Sequence, residues 1–220
     1  MFFLNENIKA IIFDLDNTLY DENVYIAEVL DIFSKKYSLN FDKNKFIYNK
    51  DLRNKSNDIF SFWLNSINFY SKEYQEELFE LYQNISCQLK LYSDAKILLD
   101  FLYKKGIKIG ILTNGTVKAQ KNKIKCLQGI SRYNPIIFYA RSLGKDFEKP
   151  HVRAFEGILN IIGVEKINVL FIGDNPYVDI YGAKNFGIRN ILVNRKISDD
   201  KQINSDLVVK KLDEVMKLWQ

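Results

Sequence analysis

Residues 9–18 read Lys-Ala-Ile-Ile-Phe-Asp-Leu-Asp-Asn-Thr. The short apolar run at its start, β-branched and aromatic, has the composition of a strand buried on both faces of a parallel sheet. It then turns abruptly polar at Asp14 and Asp16, a cluster that cannot continue into a dry core. The same sequence of events recurs downstream. Residues 107–112 form an apolar run ending at Thr113-Asn114-Gly115, and a further strand is expected at Ile136–Tyr139. Residues 169–172 form a strand ending at Gly173-Asp174, residues 191–193 another, and residues 206–209 a last edge strand before a final helix. Between them lie helical patterns. Ser93 is placed to N-cap one that stops at Gly106, and Pro150 opens another whose inner side carries Val152, Phe155, Ile158, Leu159 and Ile162. A third ends at Phe186 with Gly187 as its stop. Alternation of this kind predicts an open α/β fold with a mostly parallel sheet and right-handed crossovers.

The period changes between residues 20 and 91. Ile26, Val29, Leu30, Phe33 and Tyr37 recur at spacings of three and four, as do Leu78, Leu81, Tyr82, Ile85 and Leu89. The stretch has no Gly or Pro and holds Trp63 among Phe60, Phe62, Phe69 and Tyr70. It reads as a small all-helical domain, residues 20–91, inserted into an α/β core made of residues 1–19 and 92–220, with hinges expected near 19–21 and 90–92. Its aromatics read as core first, with Trp63 and Tyr70 the candidates for lining a substrate pocket.

Composition narrows the function. The chain has 220 residues, 47% of them hydrophobic and 27% charged, which excludes a disordered chain. Its formal charge of +5 is scattered. The densest basic stretch, residues 118–125, is broken by Ala119, Asn122 and Ile124 and reads as a solvated helix face, so no nucleic-acid partner is expected. Cys87 and Cys126 lack metal-ligand spacing. Neither a signal sequence nor a membrane span of about twenty apolar residues is found, so a cytoplasmic protein with no membrane partner is expected. Oligomeric state is not legible.

In open α/β sheets, ligands bind beyond the carboxyl ends of the strands. The polar residues Asp14, Asp16, Thr113, Asn114, Asp174 and Asp179 fall at or just past such ends, and Lys149 precedes a helix. A lone Asp after a strand is commonly a turn former. Four polar clusters at four chain positions, three of them at strand ends, are harder to assign to turns. Carboxylates crowded into one crevice repel each other, and a hard divalent cation such as Mg²⁺ relieves that. Side chains two apart on an extended strand point the same way, so Asp14 and Asp16 are expected to face one reacting centre. One carboxylate can attack phosphorus while the other protonates the leaving oxygen and later activates water. Thr113, Asn114, Lys149 and the N–H groups near Gly115 then bind the phosphoryl oxygens.

These motifs resemble those of haloacid-dehalogenase-like hydrolases. Phe13-Asp14-Leu15-Asp16-Asn17-Thr18-Leu19 is similar to the first, Leu112-Thr113-Asn114-Gly115 to the second, Lys149-Pro150-His151 to the third and Gly173-Asp174-Asn175-Pro176-Tyr177-Val178-Asp179 to the fourth. The resemblance implies a Rossmann-like core with a helical cap inserted after the first motif. It implies Mg²⁺-dependent hydrolysis of a small soluble phosphomonoester, of the nucleotide or sugar-phosphate class. Asp14 would be the nucleophile and become an aspartyl phosphate. Asp16 would be general acid and base and hold the metal through its backbone carbonyl. Asp14 and Asp174 would ligate the metal, with Asp179 supporting its water shell or ligating directly. Asn17 stands where many phosphoglycolate phosphatases and sugar-phosphate mutases carry Gly, which tips the balance away from those two alternatives. Retention of Asp16, Asp174 and Asp179 speaks against a dehalogenase and against a non-catalytic binding module. His151 reads as a helix-start surface residue, and residues 132–146 carry no assigned role.

Overall fold

A computed structural model of the chain describes residues 8–48, 58–195 and 204–219. Residues 1–7, 49–57, 196–203 and 220 lie outside it, so the expected core and helical insert are described without those stretches. The run after Lys9 forms β1 (Ala10–Phe13), buried at every position, at the centre of a six-stranded sheet. The other strands are β3 (Lys108–Thr113), β5 (Ile136–Tyr139), β6 (Val169–Gly173), β7 (Arg189–Val193) and β8 (Leu207–Val209). Their order is β5-β3-β1-β6-β7-β8 and every pairing is parallel, as the alternation predicts. A separate parallel ribbon joins β2 (Leu89–Lys90) to β4 (Leu127–Gln128).

The period-two alternation of strands sorts the side chains into two layers. Ala10, Ile12, Leu112, Val169 and Phe171 pack under Phe155, Ile158 and Ile162 of the helix Val152–Ile162 and under Ala183 and Phe186 of the helix Tyr181–Phe186. Ile11, Phe13, Ile109, Ile111, Leu170 and Ile172 face the other way, towards Leu98, Leu99 and Leu102 of α5 (Ser93–Lys104).

Between β1 and β2 lie α1 (Glu22–Lys36), α2 (Lys43–Tyr48), α3 (Ile59–Ser66) and α4 (Lys72–Asn84). Asp21, Asp58 and Ser71 cap three of them by accepting from backbone N–H groups. The stripe Ile26, Val29, Leu30 and Phe33 is buried, as its spacing predicts. Helix α4 ends at Asn84, so Leu89 belongs to β2 instead of continuing that helix face. Trp63 lies inside, its ring edge-on to Phe33 at 6.0 Å and to Phe41 at 5.8 Å, whereas Tyr70 is exposed. The apolar residues of these helices are continuous with the second layer of the sheet.

The two connections into this helical segment meet. The Tyr92 N–H donates to the Leu19 carbonyl at 2.9 Å. Arg195 donates to the Thr18 carbonyl at 3.0 Å and to Asp94 at 2.7 Å, and lies 3.9 Å over the Tyr92 ring. Cys87 and Cys126 are free thiols; Cys126 Sγ donates to the Ile85 carbonyl at 3.6 Å, and burial pushes Cys87 up to about 12. Three local expectations change. Tyr92 occupies the N-cap expected of Ser93, which is the first helical residue instead. Pro150 sits before its helix, and exposed His151 is the cap, its Nδ1 accepting from the Arg153 N–H at 3.2 Å. The final helix is a 3₁₀ segment, Leu212–Trp219.

Candidate active site

Asp14 follows directly on β1, and its N–H remains in the ladder through the Ile172 carbonyl at 2.9 Å. Its Oδ1 accepts from Lys149 Nζ at 2.5 Å and its Oδ2 from the Thr18 hydroxyl at 3.2 Å. Lys149 is shared: the same Nζ reaches Asp179 Oδ1 at 2.8 Å, while Asp179 Oδ2 accepts from the Asn175 N–H at 3.0 Å. Asp14, Asp174 and Asp179 each offer an oxygen within 4.8 Å of the others. Burial, only partly offset by Lys149, pushes the Asp14 carboxyl well above the usual range, and Asp179, Asp174 and Asp16 push it further. Burial works against the Lys149 ammonium, but Asp14 and Asp179 outweigh it and raise its pKa. Converging hard oxygens of like charge repel one another, and a small divalent cation relieves that repulsion. Gly173 makes room for this: a Cβ there would lie 2.5 Å from Asp179 Oδ2.

The loop carrying Lys149 is fixed from the second motif. The Asn114 amide donates to the Lys149 carbonyl and accepts from the Lys149 N–H, both at 2.9 Å. The Gly115 N–H donates to Glu148 Oε1, and Arg141 holds Oε2 at 2.7 Å. The Asn114 side-chain amide and the Gly115 N–H, expected beside phosphate, here join the two loops, the first through the Lys149 backbone and the second through the Glu148 carboxylate. Thr113 ends β3 with its hydroxyl 2.5 Å from Gln120 Nε2. Arg141, from the stretch left without a role, supports Glu148.

Asp16 departs from the expected arrangement. β1 has already ended at Phe13, Asn17 turns the chain with φ of 61°, and Asp16 makes an isolated bridge to Tyr20. Its carboxylate therefore does not simply repeat the direction of Asp14. Oδ1 accepts from the Tyr20 hydroxyl at 2.5 Å and Lys123 Nζ at 2.9 Å, and Oδ2 accepts from Gln120 Nε2 at 2.8 Å. Gln120 and Lys123 lie on α6 (Val117–Cys126), the basic helix expected to be solvated. Lys118 is exposed and pairs with Glu80, but Lys123 is buried. Sequence reasoning missed Tyr20, Gln120, Lys123 and Glu148. A signal existed for Lys123, since Ala119, Lys123 and Cys126 fall at the i, i+4, i+7 spacing of an inner face.

Among the described residues, no helix is long and apolar enough to cross a membrane. The family model for haloacid dehalogenase-like hydrolases matches residues 11–193. A phosphoserine phosphatase of Thermus thermophilus is 29% identical over 65% of this chain and 57% of its own length, so the chain spans little more than half of that relative. A glyceraldehyde 3-phosphate phosphatase of Methanothermobacter thermautotrophicus is 26% identical over 96% of this chain and 98% of its own. The magnesium-bound HAD hydrolase YfnB of Bacillus subtilis has the same fold, with a TM-score of 0.77 over 96% of this chain and 98% of that one, at 19% identity. The family match runs from inside the central strand to the end of β7 and takes in Asp14, Lys149, Asp174 and Asp179, and on that ground the chain belongs to the haloacid dehalogenase-like hydrolase family.

Proposed function

We propose that the protein hydrolyses a small soluble phosphomonoester, with Mg²⁺, through a covalent phosphate on Asp14. The observation that carries this is the Asp14 carboxylate at the end of the central strand, gripped by Lys149 and converged upon by Asp174 and Asp179. Asp14 attacks phosphorus, and the bond to the ester oxygen breaks with its electron pair on that oxygen. Asp16 supplies the proton the alcohol needs to leave. Asp16 then removes a proton from the water that cleaves the aspartyl phosphate, returning Asp14 and releasing inorganic phosphate. Asp16 has three donors around it, so carrying a proton requires one of them to yield; the Tyr20 hydroxyl can turn from donor to acceptor, whereas Lys123 cannot. Lys149 and Thr113 hold the phosphoryl oxygens. Asp14, Asp174 and the Asp16 backbone carbonyl would hold Mg²⁺, with Asp179 beside them, and the ion would neutralise charge on the phosphoryl group.

Phosphatases of three-carbon and amino-acid phosphates among the relatives support a small ester, and the sugar-phosphate class is favoured within it. Residues 20–91 serve as the cap in this reading. A dehalogenase would leave Asp16, Asp174 and Asp179 without a task. The test is turnover of p-nitrophenyl phosphate, then of a panel of sugar phosphates, nucleotides and phosphoglycolate, by wild type and Asp14→Asn. The amide is a poor nucleophile and nearly isosteric, so the variant should stay folded and lose turnover. Substantial activity in clean Asp14→Asn protein would refute the covalent mechanism.

A further inference from the structure

We propose that Lys123 is a positioning residue for proton transfer: from α6 it holds the Asp16 carboxylate and ties it to Glu22 at the start of α1. The inference rests on the phosphomonoesterase reading above. Lysine is almost never fully buried without a paired charge, yet Lys123 is 1% exposed. Its Nζ lies 2.9 Å from Asp16 Oδ1 and 2.7 Å from Glu22 Oε1, under the rings of Tyr82 at 4.9 Å and Tyr25 at 5.5 Å. Glu22 also accepts from the Tyr82 hydroxyl at 3.2 Å. Fold stability is a weak reason to keep such a group, because buried ion pairs are commonly matched or bettered by apolar residues of the same volume. Position is a stronger reason.

One turn earlier on the same helix, Gln120 holds the other Asp16 oxygen at 2.8 Å and the Thr113 hydroxyl at 2.5 Å. Both oxygens of the acid–base carboxylate are thus fixed by α6, and the phosphate-binding hydroxyl is fixed with them. A displacement of about 1 Å in a reacting group can cost 10²-fold in rate. Without Lys123, Asp16 keeps Tyr20 and Gln120 but loses its charged anchor and its link to α1. The proton delivered to the leaving oxygen should then arrive poorly placed, while attack by Asp14 at phosphorus should be little changed.

The experiment measures kcat/KM, which reports the steps up to departure of the alcohol, across esters from p-nitrophenyl to alkyl phosphates. A p-nitrophenolate leaves without a proton and an alkoxide does not. Lys123→Met should lose under about 10-fold on p-nitrophenyl phosphate and about 100-fold or more on an alkyl phosphate, within the range of general-acid effects. Lys123→Arg should recover part of the alkyl activity. Gln120→Leu, which removes no charge, should steepen the same dependence and carries the test if Lys123→Met does not fold. Equal losses across the series in folded variants would overturn the proposal and leave Lys123 a structural residue. Asp14→Asn, run in parallel, separates the two readings. If it is inactive while the leaving-group dependence of the folded variants stays flat, the positioning role alone is wrong. If it retains turnover, the underlying mechanism is wrong.

Discussion

Gly173→Ala tests whether the acid cluster is as tightly built as its geometry indicates. The added methyl would lie 2.5 Å from Asp179 Oδ2 and 2.6 Å from its Cβ and Cγ. Ordinary contact is about 3.5 Å or more, so something must move by about 1 Å. Asp179 has little freedom to do so: it is 2% exposed, with Oδ1 on Lys149 and Oδ2 on the Asn175 N–H. Retreat breaks one of those bonds and carries its oxygen away from Asp14 and Asp174. Loss of a supporting group around a metal typically lowers affinity about 10–100-fold, and overpacking costs about 1–3 kcal/mol. At about 2 kcal/mol, a chain of this size should melt roughly 4–8 °C lower. Isothermal titration with Mg²⁺ and melts with and without the ion measure both effects. Gly187→Ala is the control: its φ is 82° and nothing lies within 4 Å of the added Cβ, so it should lower the melting temperature without altering Mg²⁺ affinity. Wild-type Mg²⁺ affinity in folded Gly173→Ala protein would refute the reasoning.

Chelation with EDTA should abolish turnover and Mg²⁺ restore it, while Ca²⁺, which favours more ligands and longer bonds, should not; full activity in chelator would remove Asp174 from its proposed role. Trp63→Ala should destabilise by about 3–5 kcal/mol through the aromatic contacts to Phe33 and Phe41, seen as a lower urea midpoint, and a change under 1 kcal/mol would contradict its buried place. Asp94 gives a pH test. Burial raises its carboxyl, but Arg195 and the Leu212 N–H outweigh burial and lower it below 3.8. A lowered folded value gives stability that is complete above the unfolded carboxyl range and lost as pH falls through the folded value. The gap in melting temperature between wild type and Asp94→Asn should therefore be present at pH 6 and shrink below pH 4; a gap independent of pH would reassign it to packing.

The positions of the main-sheet strands along the chain and the main catalytic candidates were legible because most lie where an apolar run meets a polar residue. Asp14, Thr113 and Asp174 all sit at that transition. The partners of Asp16 were not legible. Gln120 and Lys123 meet it across more than a hundred residues of chain, and a helical period says which residues share a face without saying what that face meets. Asn17 shows another limit. Sequence comparison reads it as a marker of substrate branch, but its φ of 61° lies where glycine is favoured and asparagine is among the few other residues tolerated, so backbone geometry accounts for it. The bonds of the Asn114 amide to the Lys149 backbone were likewise not legible, because hydrogen-bond capacity is visible in sequence and the partner that fills it is not.

The bond from the Tyr92 N–H to the Leu19 carbonyl bears on how this chain folds and how it can change. The helical segment leaves the sheet and returns at one point, so for the sheet it is a loop whose ends already touch. Pairing Phe13 with Ile111 requires closing that loop, and closure entropy rises only with the logarithm of length, by about 0.6 kcal/mol for each doubling. The sheet is therefore nearly indifferent to how long the excursion is. Helices that collapse early on Phe33 and Trp63 would bring the two ends together and shorten the search for β3. For the same reason the excursion can be lengthened, trimmed or exchanged by recombination at its doorway, with Asp14 and its lysine left in register.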